Sequence, residues 1–414
     1  MADNSTMKIL HTADWHIGKT LHKHPLQDQL LLFFDWLCEL IEKERIDLLL
    51  ISGDVFDVAN PATADRRMYF QFLKRLNDFN LQVIITGGNH DSVGQLNAPK
   101  EVLEVLNVTV IGGATEDLKD ELVEVRGAHG NTKLVVAAVP FLRDKDLRHR
   151  DSDEKYENRT EAIREGIKLH YAALADQAKD HYPNIPALAM GHLFTLGADP
   201  SESERDIHIG NTAAINASAF PAHFQYVALG HIHRPQIIGG NGMIRYSGSP
   251  IPLSFSEKND QKTVLIVELQ NGQLSSPQVI PVPAFRQLKK FSGSLEVVRK
   301  KLTDYRPEFQ LSSFVEIEVT EPVFSSLIIG EVEGLKNEFE EGANFRILKT
   351  RTHFETGTKD TADLFSKSDS IEDLNPKDVF ARKLEAEGID EETTTLLMQA
   401  FQELVENAEA EDAP

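Results

Sequence analysis

The stretch DLLLISGDVFD, residues 47–57, combines the two features on which the fold prediction depends. Its first part, Asp47–Ser52, contains a run of Leu and Ile residues, which predicts a short buried β-strand. Directly after this strand, Gly53 is followed by the acidic residues Asp54 and Asp57. In open α/β sheets, ligands bind beyond the carboxyl ends of the strands, so this stretch indicates a functional site at a strand end.

The same arrangement recurs along the first 270 residues. Four more predicted strands each precede a short polar motif: Lys8–Thr12 before DWH (14–16), Gln82–Thr86 before GNHD (88–91), Ala187–Met190 before GH (191–192), and Tyr226–Leu229 before GHIH (230–233). Apolar residues at helical spacing predict helices over Leu26–Lys43, Arg66–Phe79 and Arg159–Lys179. Strands that alternate with amphipathic helices predict an α/β layered domain, which we assign to residues 1–280.

The character of the chain changes near Pro281. We predict a small α+β unit over residues 281–354, with strands at Ser313–Thr320 and Phe345–Thr350 and a helix at Ile328–Phe339. Residues 355–375 are polar and without periodicity, and we interpret them as a linker. Residues 376–414 predict two short amphipathic helices, whose apolar faces either dock into a helical groove of a partner or pack back onto the chain itself.

The composition excludes several classes of protein. The chain has 43 Lys+Arg against 65 Asp+Glu among 414 residues, and a net charge of −22 argues against passive adhesion to nucleic acid. Half of that excess lies in residues 361–414, which hold 15 acidic and 4 basic residues. The lone Cys38 indicates a reducing compartment, and no apolar run approaches the length of a membrane span. The polar N-terminus does not resemble a signal peptide, so we expect a cytoplasmic protein.

The polar motifs supply carboxylate, imidazole and amide groups without a thiolate. This donor set suits Mn²⁺, Fe, Zn²⁺ or Co²⁺ better than Ca²⁺ or an iron–sulfur cluster. Two ions about 3.5–4 Å apart can clamp the attacking and leaving oxygens of a phosphoryl centre. Asp54 is suited to bridge them, and the terminal ligands would be Asp14, His16, Asn89, His192, His231 and His233. Each motif alone is a weak signal, because its glycine could simply end a strand.

The ordered set D-x-H, G-D, G-N-H-D, G-H and G-H-x-H resembles the calcineurin-like metallophosphoesterase superfamily over residues 7–255. The resemblance implies a layered β-sandwich flanked by helices, followed here by the small capping domain and the helical tail. It implies that Asp14, His16, Asp54 and His233 hold one metal ion, and that Asp54, Asn89, His192 and His231 hold the other.

The resemblance also implies two catalytic residues. His90 would be a histidine that binds no metal and either protonates the leaving oxygen or holds the scissile phosphate. Asp57 would pair with His90 and fix its tautomer. Related repair nucleases often carry a histidine in place of Asp57, which leaves open whether this residue contacts phosphate or only supports His90.

Longer motifs resemble the nuclease subunits of bacterial double-strand-break complexes: HTADWHIG (11–18), SESERDIH (201–208), VALGHIHRPQ (227–236) and YSGSPIPLSFSE (246–257). The resemblance implies an Mn²⁺-dependent hydrolase that attacks the phosphodiester with hydroxide held by two metals. Its substrates would be double-strand ends (3′–5′ exonuclease, ATP-dependent) and single strands or hairpins (endonuclease). The partners would be DNA, an SMC-type ATPase bound through the C-terminal helices, and a second copy of the chain within a heterotetramer. The protein would be located in the cytoplasm, at the nucleoid.

Two other functions fit parts of the sequence. A phosphatase or phosphodiesterase for nucleotides or phosphoproteins would use the same metal motifs, but it leaves the capping unit and the tail without a role. A non-enzymatic scaffold for DNA ends would explain those additions, but it would not need a full set of metal ligands.

Overall fold

The computed structural model describes residues 6–127, 129–147, 156–205, 207, 213–339 and 344–356, and eight positions of the tail: 380, 384, 393, 394, 397, 398, 400 and 401. The chain forms two compact units. The larger comprises residues up to Phe291 together with 304–317 and 336–349, and the smaller comprises 292–303, 318–335 and 350 onward. Most of the two predicted tail helices and all of the predicted linker after Thr356 lie outside the described residues.

The secondary structure alternates between strands and helices, numbered here in chain order. The strands are β1 (Met7–Thr12), β2 (Thr20–Leu21), β3 (His24–Pro25), β4 (Leu48–Ser52), β5 (Gln82–Thr86), β6 (Val108–Ile111), β7 (Leu122–Arg126), β8 (Thr132–Ala138), β9 (Ala187–His192), β10 (Phe224–Gly230), β11 (Gln236–Ile238), β12 (Asn241–Tyr246), β13 (Thr263–Gln270), β14 (Gln273–Leu274), β15 (Gln278–Pro281), β16 (Leu288–Gly293), β17 (Ser313–Val323) and β18 (Phe345–Thr356). The helices are α1 (Gln27–Glu44), α2 (Thr63–Leu76), α3 (Val93–Asn97), α4 (Lys100–Glu104), α5 (Asp144–Leu147), α6 (Tyr156–His181), α7 (Leu295–Asp304) and α8 (Ser326–Glu338).

Two mixed sheets form the centre of the larger unit. The first has the order β14-β13-β1-β4-β5-β6, with β15 also paired to β13, and the second has the order β11-β12-β10-β9-β8-β7. Strands β1, β4, β5 and β6 run parallel, as do β8, β9, β10 and β12. Parallel strands buried on both faces are rich in branched apolar residues, which is the composition of the run in β4.

The two sheets pack face to face and are covered by helices on their outer faces. Alternate residues of each sheet, such as Leu50 and Met190, form the core between the sheets. Helices α1 and α2 cover the first sheet, and α6 covers the second. Within the inter-sheet core, His11 Nδ1 lies 2.8 Å from the Tyr226 hydroxyl, and both side chains are fully buried. The predicted layered α/β sandwich is confirmed.

Strands β16, β17 and β18 form a separate three-stranded sheet, accompanied in sequence by α7 and α8. These elements confirm the strands and the helix that were predicted for the α+β region. Among the described helices, none is long and apolar enough to cross a membrane.

A hairpin turn joins β13 to its neighbour β14 in the first sheet. Asn271 and Gly272 adopt φ angles of 52° and 78°, and they connect β13 to the short β14. Both positive φ values are those of a two-residue hairpin turn. The strand β15 comes later and pairs with the first part of β13.

The two neighbouring leucines of α1 test the packing of this helix on the first sheet. Leu30 is fully buried, whereas Leu31 is 44% exposed. We expect Leu30→Ala to lower the free energy of unfolding by about 2–5 kcal/mol, because it leaves a cavity that the core cannot close. Leu31→Ala is the matched control and should cost less than about 1 kcal/mol. If urea unfolding shows that both variants lose the same free energy of unfolding, this packing is contradicted.

Candidate metal centre

All seven predicted ligands lie in one site, where the carboxyl ends of parallel strands from the two sheets meet. Asp14, Asp54 and Asn89 follow three strands of the first sheet, β1, β4 and β5. His192 ends β9 of the second sheet, and His231 and His233 follow β10. All of these side chains except Asn89 are buried. The expectation that strand ends bring distant motifs together is confirmed by these positions.

The two sheets approach each other closely at the site. The Ser52 hydroxyl donates to the main-chain oxygen of Ala228 at 3.1 Å, and His192 Nδ1 lies 3.0 Å from the Ser52 carbonyl oxygen. A Cβ atom on Gly230 would lie only 1.8 Å from that same carbonyl oxygen. Glycine is therefore required in the GHIH motif so that the second sheet can approach the first.

The ligand loops have an unusual backbone. Asp14, His16, Asp54 and His231 all adopt positive φ values, between 46° and 100°. Such values are uncommon for residues other than glycine and cluster at functional sites. Hydrogen bonds hold the first two loops side by side, because the amides of Asp14 and His16 donate to the carbonyl oxygens of Gly53 and Asp54 at 3.1 and 3.0 Å.

Asp54 lies at the centre of the site. Its Oδ2 atom is 3.5 Å from His16 Nε2, 3.3 Å from His192 Nε2 and 3.9 Å from His90 Nε2. Its other oxygen accepts a hydrogen bond from the His90 amide at 2.9 Å. His16 Nε2 is in turn 3.1 Å from His233 Nε2. Asp54 therefore faces ligands from both sheets, as expected of a bridging carboxylate.

Asn89 joins the remaining ligands. Its side-chain oxygen lies 2.9 Å from His192 Nε2 and 3.2 Å from His231 Nδ1. Asp14 Oδ1 accepts a hydrogen bond from the His231 amide at 2.8 Å. The geometry thus forms two neighbouring groups of donors, one around His16 and His233 and the other around Asn89 and His192.

The donor atoms fit divalent cations. The combinations Asp14, His16 and His233, and Asp14, Asp54 and His192, each present ligand atoms within 4.8 Å of one another. Asp14 Oδ2 and His231 Nε2 are buried and form no hydrogen bond with any described residue. A buried polar atom without a partner is costly, and two metal ions in the site would satisfy these atoms, one ion for each.

The electrostatics of the carboxylates lead to the same conclusion. Burial raises the pKa of Asp14 to about 7, with the Asp54 carboxylate adding to the increase. Burial would lower the pKa of His192, but the Asp54 and Asp14 carboxylates and the Ser52 carbonyl oxygen together raise it to about 9. Burial alone would likewise raise the pKa of Asp54, but His192, His16 and His90 hold it well below its usual range. Two buried carboxylates so close together need a positive charge between them.

The expected pairing of Asp57 with His90 takes a different form in the structure. The Asp57 carboxylate lies 3.2 Å from His16 Nδ1 and 3.1 Å from Lys19 Nζ, but 4.0 Å from His90 Nδ1. His90 Nδ1 instead donates to the main-chain oxygen of Asp57 at 2.7 Å. Lys19, which belongs to none of the short polar motifs, supplies a cation that contacts the Asp57 carboxylate. Asp57 supports His90 through its backbone and orients His16 through its side chain.

Asp91 has a structural role that its sequence context did not predict. Its buried carboxylate accepts hydrogen bonds from the amides of Val55, Phe56 and Gly88, at 3.1, 2.9 and 2.9 Å. These bonds hold the loop after β4 against the loop after β5. The only signal in the sequence is the position of Asp91 inside the GNHD motif.

Comparison with known proteins agrees with the geometry. The family described as calcineurin-like phosphoesterase matches residues 7–235, and the type 5 capsule protein repressor C-terminal domain matches residues 284–388. The chain is 32% identical to the SbcD subunit of the nuclease SbcCD from Escherichia coli K12, over 95% of this chain and 97% of that protein. Its identity is 37% to the corresponding protein from Rhodobacter capsulatus, over 67% and 69% of the two chains, and 29% to that from Bacillus subtilis, over 98% and 100%.

The glycine between the sheets gives a test of the site's construction. We expect Gly230→Ala to lower the free energy of unfolding by about 1–3 kcal/mol or more and to weaken Mn²⁺ binding, because its methyl group would push β10 away from Ser52. Gly242→Ala is the matched control, since a Cβ atom at that position meets no atom within 4 Å. Thermal unfolding and Mn²⁺ titration measure both effects. If Gly230→Ala unfolds at the wild-type temperature and binds Mn²⁺ with wild-type affinity, the close approach of the sheets is not required.

Proposed function

This chain belongs to the calcineurin-like phosphoesterases and, within them, to the SbcD nuclease subunits, and on this basis we propose that it cuts DNA in a complex with an SbcC-like ATPase. It is a metal-dependent hydrolase of phosphodiester bonds. The observation that carries the proposal is the position of Asp54, whose Oδ2 lies within 4 Å of His16, His192 and His90.

The proposed cofactors are two divalent ions, with Mn²⁺ the expected metal. Asp14, His16, Asp54 and His233 would hold one ion, and Asp54, Asn89, His192 and His231 the other. When bound, the ions would lower the pKa of water and neutralise the charge that develops on the phosphate. The chain's own contribution is to fix the ligand geometry, because both loops that carry Asp14 and Asp54 are tied to each other by main-chain hydrogen bonds.

His90 is the proposed acid that faces the substrate. Its Nδ1 atom donates to the carbonyl oxygen of Asp57, so the Nε2 atom on the opposite side of the ring is the one available to phosphate. Burial lowers the pKa of His90 to about 4, and the Asp54 carboxylate opposes this effect. A bound phosphodiester would favour a proton on Nε2, because it places a negative charge beside the imidazole. From Nε2 the proton can pass to the departing ribose oxygen or hold a phosphate oxygen.

We propose two kinds of substrate: double-strand ends, degraded 3′ to 5′ with ATP hydrolysis by the partner, and single strands or hairpins, cut internally. The acidic chain would hold DNA weakly by itself, so the partner subunit would share the contact with DNA. Half of the net charge of −22 lies in residues 361–414, which include the tail that we propose to bind the partner. The chain would act as a homodimer within a heterotetramer, in the cytoplasm at the nucleoid.

The role of His90 separates a DNA nuclease from a scaffold. With Mn²⁺, the wild-type protein should cut hairpin DNA, and His90→Ala should reduce cleavage about 10²–10⁴-fold while Mn²⁺ still binds, because only general acid catalysis is removed. His181→Ala, at the exposed C-terminal end of α6, is the matched control. Gel assays of hairpin and linear DNA, with and without the ATPase, measure cleavage. Unchanged cleavage by His90→Ala would contradict its role, and activity on small phosphodiesters alone would favour the phosphatase.

The tail provides the test of the partner. In the described part of the tail, Leu384 is buried, the Phe380 and Phe401 rings stack at 4.3 Å, and Leu397 is 37% exposed. Deletion of residues 376–414 should remove the co-purifying ATPase and leave Mn²⁺-dependent cleavage of single strands. Leu397→Glu should weaken the same association without shortening the chain, because it puts a charge on an apolar contact. A pull-down in which both variants retain the ATPase would place the contact elsewhere.

A further inference from the structure

A buried ion pair lies beside the metal centre but contains none of its proposed ligands. Lys262 Nζ is 2.6 Å from Glu257 Oε2, and the two residues are 4% and 0% exposed. The desolvation of two charges costs about as much as their attraction returns, so such a pair is weak evidence for stability alone. Its contribution lies instead in the groups that it holds in place.

Glu257 uses both of its oxygens. Oε2 accepts hydrogen bonds from Lys262 Nζ and from the Leu253 amide, the latter at 3.1 Å. Oε1 accepts from the hydroxyl groups of Ser203 and, at 3.2 Å, Ser254, and the Ser201 hydroxyl oxygen lies 3.0 Å away. Of these three serines, Ser203 also contacts a proposed metal ligand.

The Ser203 hydroxyl connects Glu257 to His233, because its oxygen is also 2.6 Å from His233 Nδ1. An ionised carboxylate only accepts hydrogen bonds, so the Ser203 hydroxyl donates its one hydrogen to Glu257. The serine oxygen must then accept from His233, which places the histidine hydrogen on Nδ1. The lone pair of Nε2 is left free, and this atom faces His16 Nε2 at 3.1 Å.

The main chain of His233 is held by the same group of residues. Its amide donates to Glu204 Oε1 at 2.7 Å, and its carbonyl oxygen accepts from Lys262 Nζ at 2.8 Å. Glu204 is fixed in turn by the amide and the hydroxyl of Ser201, at 2.8 and 2.6 Å. The segment 201–204 and the buried ion pair thus fix the ring and both main-chain polar atoms of one histidine.

We propose that Ser203 and Glu257 are positioning residues for His233, fixing the tautomer in which Nε2 can bind a divalent ion. This inference rests on the proposed metal centre and adds to it a hydrogen-bonded chain from Glu257 through Ser203 to His233. Metal-binding histidines commonly donate their second ring N–H to such a partner, and its loss typically lowers metal affinity 10–100-fold.

Threonine and valine at position 203 give a test with matched shapes, because they differ only in the hydroxyl group. In the full-length protein, Ser203→Val should weaken the binding of one of two Mn²⁺ ions about 10–100-fold, and Ser203→Thr should bind as the wild type does. Ser254→Ala is a second control, since it removes another hydroxyl from Glu257 without a contact to His233. The signal of free Mn²⁺ in electron paramagnetic resonance measures the binding, and thermal unfolding shows whether each variant is folded.

Equal Mn²⁺ affinity for the Thr and Val variants would overturn the proposal. Equal losses in Ser203→Val and Ser254→Ala would also overturn it, since they would assign the effect to the packing around Glu257. Failure of the wild type to bind Mn²⁺ would overturn the metal centre itself. Because the titration contains no DNA, a wild type that binds Mn²⁺ but cuts no DNA would contradict the proposed function and leave the result for Ser203 intact.

Discussion

The close approach of two sheet ends is the constraint on which the site depends. The space between the Ser52 carbonyl oxygen and the α-carbon of Gly230 is too small for a side chain. Because of this approach, donors that follow β1, β4 and β5 reach donors that follow β9 and β10. The first sheet alone would present four of the seven ligands and the second only three, so the layered fold is needed to assemble the metal centre.

The second requirement is electrostatic. Asp14 and Asp54 are buried side by side, and the imidazoles around Asp54 supply only part of the positive charge that they need. The partners of these imidazoles determine which nitrogen faces the centre. His16 is oriented by the Asp57 carboxylate and His192 by the Ser52 carbonyl oxygen. The supporting groups therefore differ in kind from one ligand to the next.

The sequence predicted those features that depend on neighbours along the chain. The strands and the polar motifs at their ends are local, and hydrophobic periodicity identifies the strands without knowledge of the fold. Trp15, which lies between two predicted ligands, is fully buried in the structure and packs edge-on against Phe34 and Phe72. These contacts favour a packing role for Trp15 over stacking on a DNA base.

The sequence could not predict contacts that depend on side-chain geometry across the fold. The Asp57 carboxylate lies about one ångström closer to Lys19 Nζ than to His90 Nδ1, and the sequence does not reveal so small a difference. Ser203 and Glu257 are separated by 54 residues and meet only because their loops converge beside His233. Both residues lie in motifs that resemble those of the repair nucleases, but a motif does not show to which group a hydroxyl donates its hydrogen bond.

The paired burial of Asp14 and Asp54 has a consequence for folding. Their mutual repulsion is present in the folded chain and largely absent from the unfolded one, where water surrounds each carboxylate. A cation that binds only the folded state stabilises it by about 2.7 kcal/mol when its concentration is 100 times its dissociation constant. The supply of divalent metal in the cell would then govern the lifetime of the folded chain as well as its chemistry, and a metal-starved chain would be the one that proteases remove first.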